Sequence, residues 1–135
     1  MIGYIRPVAE AIKERAKLIA FDEGLYRRGA NDIVYPSSEQ PKLLPQCDIV
    51  LLSGTSTING TIDALLDMCK NAREIVMVGP STPMFKEGWK GSGLTGLAGA
   101  LWVNSKKDEL FRSISLGGGV RNIEHLMLKK MVRVH

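Results

Sequence analysis

Two cysteines and two histidines are the only thiol and imidazole side chains in this 135-residue chain, and neither pair is clustered. Cys47 and Cys69 stand with 21 residues between them, and His125 and His135 lie at the C-terminal end. That scarcity excludes a disulfide framework and a close-spaced zinc knuckle. Two thiols in or beside apolar segments read as reduced structural residues, so a cytoplasmic location is expected. Long hydrophobic runs are missing as well. The runs at 48–52 and 75–78 are far shorter than the roughly 20 residues of a membrane span, and no charged segment followed by an apolar one opens the chain as a leader would. No Gly-x-x-x-x-Gly-Lys loop is present to hold ATP, Ser56 is not in a Gly-x-Ser-x-Gly elbow, and no internal repeat recurs. Aromatic residues make up 6% of the chain and do not interleave with its bases, which leaves little sign of nucleic-acid binding.

What is present describes one domain. Hydrophobic residues at 44% and charged residues at 24% match an ordinary globular composition, and a fold of this size hides roughly two-thirds of its unfolded surface without needing staples. The net charge of +4 has a location: Glu124 faces Arg112, Arg121, Lys129, Lys130 and Arg133 after residue 110, and the charges balance before it. A solvated helix face accounts for such a cluster.

The order of elements predicts an α/β domain with a mostly parallel sheet. Met1–Ile5 reads as a strand, residues 7–16 as a helix opened by Pro7, and Lys17–Phe21 as a second strand. Residues 23–46, broken by Gly24, Gly29, Pro36, Pro41 and Pro45, read as a long connection with at most a short helix near 38–44. Asp48–Leu52 and Glu74–Val78 have the continuous apolar character of buried parallel strands. Between them, residues 59–70 form a helix burying Ile62, Leu65, Leu66 and Cys69, capped by Asn59 or Thr61, with Asp63 and Asp67 on its wet face. A short helical turn follows through Phe85 to Trp89. Residues 94–103, interrupted by Gly96 and Gly99, suit two short strand pieces. Ser105 and Asp108 stand at capping-box spacing before a helix with Leu110, Phe111 and Ile114 inward, which Gly117–Gly119 ends. A last helix near 122–130 buries Ile123, Leu126 and Met127, and 131–135 is a short strand or tail.

In an open parallel sheet, ligands collect outside the carboxyl ends of the strands. Gly3-Tyr4, Asp22-Glu23, Ser53 to Asn59 and Gly79 to Thr82 each follow an apolar strand, so these four segments are expected to meet. Gly54 permits close backbone approach, and the hydroxyls of Ser53, Thr55, Ser56 and Thr57 can donate to a phosphate or carboxylate. Asp22 and Tyr4 are the titratable groups nearest that mouth, and hence the candidates for proton transfer. Asp22 lies 19 residues after Gly3, near the spacing of a ribose-binding carboxylate, but Tyr-Ile-Arg-Pro-Val after Gly3 lacks the glycines of a dinucleotide fingerprint. The cofactor expectation is therefore open, with no NAD, ATP or zinc signature. Three functions fit: a module binding a small anion or metal complex, an enzyme acting on a small phosphorylated or carboxylated metabolite, or a subunit of a larger assembly.

The stretch Asp48-Ile-Val-Leu-Leu-Ser-Gly-Thr-Ser-Thr-Ile-Asn-Gly-Thr-Ile-Asp-Ala-Leu-Leu, then Ala72-Arg-Glu-Ile-Val-Met-Val-Gly-Pro-Ser-Thr-Pro and Gly117-Gly-Gly-Val-Arg, resembles the heavy-metal chelation domain family over nearly the whole chain. The resemblance implies a Rossmann-like three-layer α/β sandwich with a cleft near those motifs. It directs attention to Gly54, Thr55, Asn59, Gly60, Thr61, Gly79, Pro80, Ser81, Thr82, Gly117, Gly118 and Gly119. Family members usually carry an N-terminal domain before this one. A separate partner chain or a homodimer is accordingly expected to cover the surface that domain would hide, with Trp89, Trp102, Met127 and Met131 as anchors.

Overall fold

The computed structural model describes residues 1–29 and 32–135. Its sheet is assembled around one residue. Ile2 bridges in parallel to Phe21 on one side and to Leu52 on the other. The Ile2 amide donates to Leu51 O (2.7 Å), the Gly3 amide to Phe21 O (2.8 Å), and Ile2 O accepts the Ser53 amide (2.9 Å). On the Phe21 side lie β1 (Ala20–Phe21) and β2 (Val34–Tyr35), parallel to each other. On the Leu52 side lie β3 (Ile49–Ser53), β4 (Glu74–Val78) and β5 (Gly96–Trp102), all parallel, closed by antiparallel β6 (Met127–Arg133). The chain is thus an α/β fold with a mixed, mostly parallel sheet.

Alternation along β3 sorts the core onto two faces, because successive side chains of a strand point to opposite sides. Val50 and Leu52 join Ile75, Met77 and Leu97 against Leu65, Leu66 and Cys69 of the helix over Ile62–Met68 and its C-terminal end. Leu51 packs on the other face, against Met1, Ala20 and Val34 and the first helix, α1 (Arg6–Ile12), through Ala9. On that same face, Ala100 and Trp102 of β5 join Met127, Ile123, Leu126 and Leu110 in a third cluster.

Several expected elements differ. The first strand shrinks to a bridge at Ile2, and the helix expected to residue 16 stops at Ile12, with one further turn closed by Ala16 N–H to Ile12 O (3.0 Å). The connection expected over 23–46 holds α2 (Glu23–Arg27) and β2, although its positions 30 and 31 lie outside the described residues. Asp22 explains α2: its Oδ1 accepts the Leu25 amide at 3.0 Å, an N-cap bond. The short helix near 38–44 is present as α3 (Gln40–Leu43), flanked by single 3₁₀ turns. The helix expected over 59–70 is shorter, α5 (Ile62–Met68), and a further short helix that was not expected, α4 (Thr55–Ile58), precedes it across Gly60 (φ +71°). Leu65, Leu66 and Cys69 are buried there as expected, and Asp63 and Asp67 are exposed.

Residues 96–102 form one strand, not two pieces. Around Gly99 the space a Cβ would need is filled by Met84 Sδ (2.6 Å) and Thr82 Cβ (3.0 Å), so the glycine interrupts neither ladder nor packing. The expected capping box at Ser105 is absent, since Ser105 sits in a 3₁₀ turn before α6 (Lys107–Ser115). Phe111 and Ile114 are exposed, and Leu110 alone of the three packs inward. The largest correction lies at the C-terminus. Ile123, Leu126 and Met127 are buried as expected, but they belong to α7 (Val120–Ile123), a 3₁₀ turn and the start of β6, because seven residues of β5 pair with residues 127–133.

Candidate functional site

The strand order creates a crevice. From Ile2 the chain moves outward to β1 and β2, then returns to the other side of Ile2 for β3, β4 and β5. The carboxyl ends of Ile2 and β3 are therefore where the direction of winding reverses, the position at which loops diverge and leave a cleft. Gly3 and Ser53 occupy those two ends. Gly3 has φ +79°, and a Cβ built on it would stand 3.1 Å from the Ser53 Cβ, so glycine is required for both conformation and space.

In the loop after β3, Ser53 carries the hydroxyl that keeps its hydrogen for a ligand. Its Oγ accepts the Thr55 hydroxyl at 2.9 Å and, more weakly, the Thr55 amide at 3.4 Å. A hydroxyl occupied as an acceptor keeps its own hydrogen for donation outward. Its neighbours are committed to the chain: Ser56 Oγ donates to Ser53 O (2.9 Å) and Thr57 Oγ1 to Gly54 O (2.7 Å). Asn59 Oδ1 takes the amide and hydroxyl of Thr61, so Asn59, Gly60 and Thr61 form the exposed turn between α4 and α5.

The second wall is the Gly79–Thr82 turn after β4. Gly79 (φ +107°) donates its amide to Ala98 O and accepts the Thr82 amide, and Pro80 and Ser81 are exposed at its tip. Gly54 lies hard against this turn, where a Cβ would fall 2.5 Å from Thr82 N. Thr82 is buried, and its Oγ1 is the one buried side-chain polar atom without a partner among the described residues.

Asp22 flanks the opposite side of Gly3. Its Oδ2 accepts the Tyr4 amide (3.1 Å) while Oδ1 caps α2, so both oxygens hold the backbone on either side of the crevice. Tyr4 is half-buried against the α1 cluster. The backbone bonds of Gly117, Gly118 and Gly119 form the turn between α6 and α7. Gly118 N–H reaches Ser113 O and Gly117 N–H reaches Ile114 O, the paired bonds that stop α6, and Gly119 donates to Asn122 at the start of α7.

Sequence reasoning missed a groove on the α1 face. About 540 Å³ of space is lined by Ile5 and Val8, by Val78, Gly79 and Pro80, by Ala98 to Ala100, and by Val120 with the β6 residues Met127 and Lys129 to Met131. Its floor follows from register, since Ser53 pairs with Val78, Val78 with Ala98 and Ala98 with Met131. No local signal encodes that row, because its members come from four strands.

The thiols are poorly placed to chelate. Cys69 is fully buried, and that burial, reinforced by the nearby Cys47, pushes its pKa up to about 11. Cys47 Sγ donates to Leu43 O (3.4 Å). No group of three or more His, Cys, Asp or Glu converges among the described residues. Soft metals need thiolate or neutral imidazole donors gathered at one point. Among the described residues, the side chains do not provide them. Of the four residues expected to anchor a partner, Trp89 and Trp102 are half-buried, Met127 is buried within the chain, and Met131 is 66% exposed. No helix among the described residues is long and apolar enough to cross a membrane.

Residues 1–133 match the family described as "Putative heavy-metal chelation". An uncharacterized protein of Methanocaldococcus jannaschii is 33% identical over 113 residues, which are 82% of this chain and 42% of that protein. Among solved structures, a protein of unknown function from Pyrococcus horikoshii superposes with a TM-score of 0.86 at 27% identity, over 98% of this chain and 53% of its own. One from Desulfitobacterium hafniense gives 0.82 at 23% identity, over 98% and 50%, a likeness of fold alone. The chain spans about half the length of these relatives.

Proposed function

Because this chain belongs to the DUF364 family, we propose that it is a Rossmann-like small-ligand-binding domain. Its ligand is an anionic group, carried by a metabolite or by a metal complex, held at the carboxyl ends of the strands. The observation that carries this reading is the Gly3–Ser53 contact at the winding reversal, where a backbone without a side chain meets a hydroxyl whose hydrogen is available. A ligand seated there lies over Gly3, with the Ser53 hydroxyl on one side and the Asp22-braced Tyr4 backbone on the other. Helices α1 and α5, packed on opposite faces of the sheet, support the three-layer arrangement. Metal enters this reading as part of the bound ligand, since the chain's own donors are dispersed.

Calorimetric titration with inorganic phosphate, citrate and ferric citrate tests it. Saturable binding of at least one is expected, weakened about tenfold in Ser53→Ala, because a hydrogen bond to a charged group is worth roughly 1.5–3 kcal/mol. No saturation by any of the three, or binding indifferent to Ser53→Ala, refutes the reading.

A further inference from the structure

We infer that the ligand of the strand-end crevice carries an apolar body, and that this body lies in the groove across β4, β5 and β6. The inference rests on the anion-binding reading above and adds the chemical class of the rest of the molecule.

Register sets the groove beside the crevice, since Val78 of its lining pairs with Ser53. Ser53, Val78, Ala98 and Met131 are successive partners on one face of four adjacent strands. Strands lie about 4.8 Å apart, so the row extends roughly 14 Å from the Ser53 end to Met131. Its first member bears the available hydroxyl, and the next three are apolar. Ile5 and Val8 form one bank, two residues and more beyond Gly3, and Val120 and Met127 form the far end. A volume near 540 Å³ suits a small organic molecule, and sites for such molecules combine mainly apolar walls with few polar groups.

The surroundings explain why this part of the sheet stays open. The α1 cluster covers the face at β1 and β3, while the α6–α7 cluster covers it at Ala100, Trp102 and Met127. Val78 and Ala98 lie between them, half-buried, with Met131 exposed beside them. The small side chain at Ala98 leaves the floor low. An amphipathic anion, with its head at Ser53 and its apolar body over Val78 and Ala98, matches the order of the row from hydroxyl to apolar floor.

Octyl phosphate, kept below its micelle concentration, and inorganic phosphate separate body from head by calorimetry. Octyl phosphate is expected to bind at least tenfold more tightly than phosphate. Met131→Glu and Ala98→Phe are each expected to remove that surplus. Leu128→Glu, an equally exposed β6 position outside the groove lining, is expected to leave it intact. Thermal melting of each variant identifies any that fails to fold, and the exposed Met131 position keeps the test usable if Ala98→Phe does. Phosphate binding with equal affinity for octyl phosphate overturns this inference and leaves the crevice reading standing. A surplus that survives Met131→Glu and Ala98→Phe, or self-association that buries Met131 and excludes octyl phosphate, overturns it too. Failure of phosphate together with tight octyl phosphate binding keeps the groove and sinks the anion crevice.

Discussion

Gly54 sits directly against the backbone of Thr82, with room for hydrogen and nothing larger: a Cβ would lie 2.5 Å from the Thr82 nitrogen and 2.6 Å from the Ser81 carbonyl carbon. Its φ of −56° is open to any residue, so the restriction is one of space. Gly54→Ala must push the Gly79–Thr82 turn away from β3, and backbone cannot rotate aside as a side-chain tip can. A loss of about 3 kcal/mol in urea unfolding is expected.

Thr82 provides a second test of the same turn. Its buried hydroxyl has no partner among the described residues, and an unsatisfied buried hydroxyl costs roughly 1–3 kcal/mol. Thr82→Val keeps the shape and removes that cost, so the variant is expected to equal or exceed the parent in stability. A loss above about 1 kcal/mol would reveal a bound water or ligand atom on that oxygen.

The edge of the sheet should weaken in acid. Glu74 accepts the Thr95 hydroxyl, and both its oxygens accept Arg133 Nη1 at 2.9 Å. The Thr95 hydrogen bond first, and the Arg133 bond second, hold its pKa below the ordinary 4.5. The unfolded carboxylate binds a proton more readily, so this stabilisation is present above about pH 4.5 and is lost as pH falls through the lowered folded value. Urea unfolding from about pH 6 to about pH 3 should show a shallower acid decline in Glu74→Gln than in the parent.

The two thiols should differ in reactivity. Cys69 is fully buried with its pKa pushed up to about 11, whereas Cys47 is half-buried. Thiolate is the reactive form. With a disulfide reagent near pH 8, one thiol should react in the native protein and the second only on unfolding. Cys47→Ser should abolish the early phase, and two equally fast thiols in the parent would contradict the assigned burial.

Where the chain's character was local, its sequence disclosed the structure. Glu74–Val78 is a strand as read, because five residues with an apolar core between a charge and a glycine can do little else. Leu65, Leu66 and Cys69 turn inward because helical spacing places them on one stripe. The Gly79–Thr82 turn was legible for the same reason, since glycine and proline behind an apolar strand end it. Ile123, Leu126 and Met127 misled, since their spacing suits a helix as well as a turn entering a strand. Residues 127–133 became a strand through pairing with Gly96–Trp102, about thirty residues upstream, a partner that periodicity cannot encode.

The sequence alone determined the α/β class, the buried strands and the chemical character of the turns, all of which follow from propensities and spacings a few residues long. Only the tertiary structure decided that Ile2 divides the sheet, that Gly3 meets Ser53 there, and that Val78, Ala98 and Met131 continue the row. Those adjacencies come from strand order and register, and hydrogen bonds between segments distant in the chain set both.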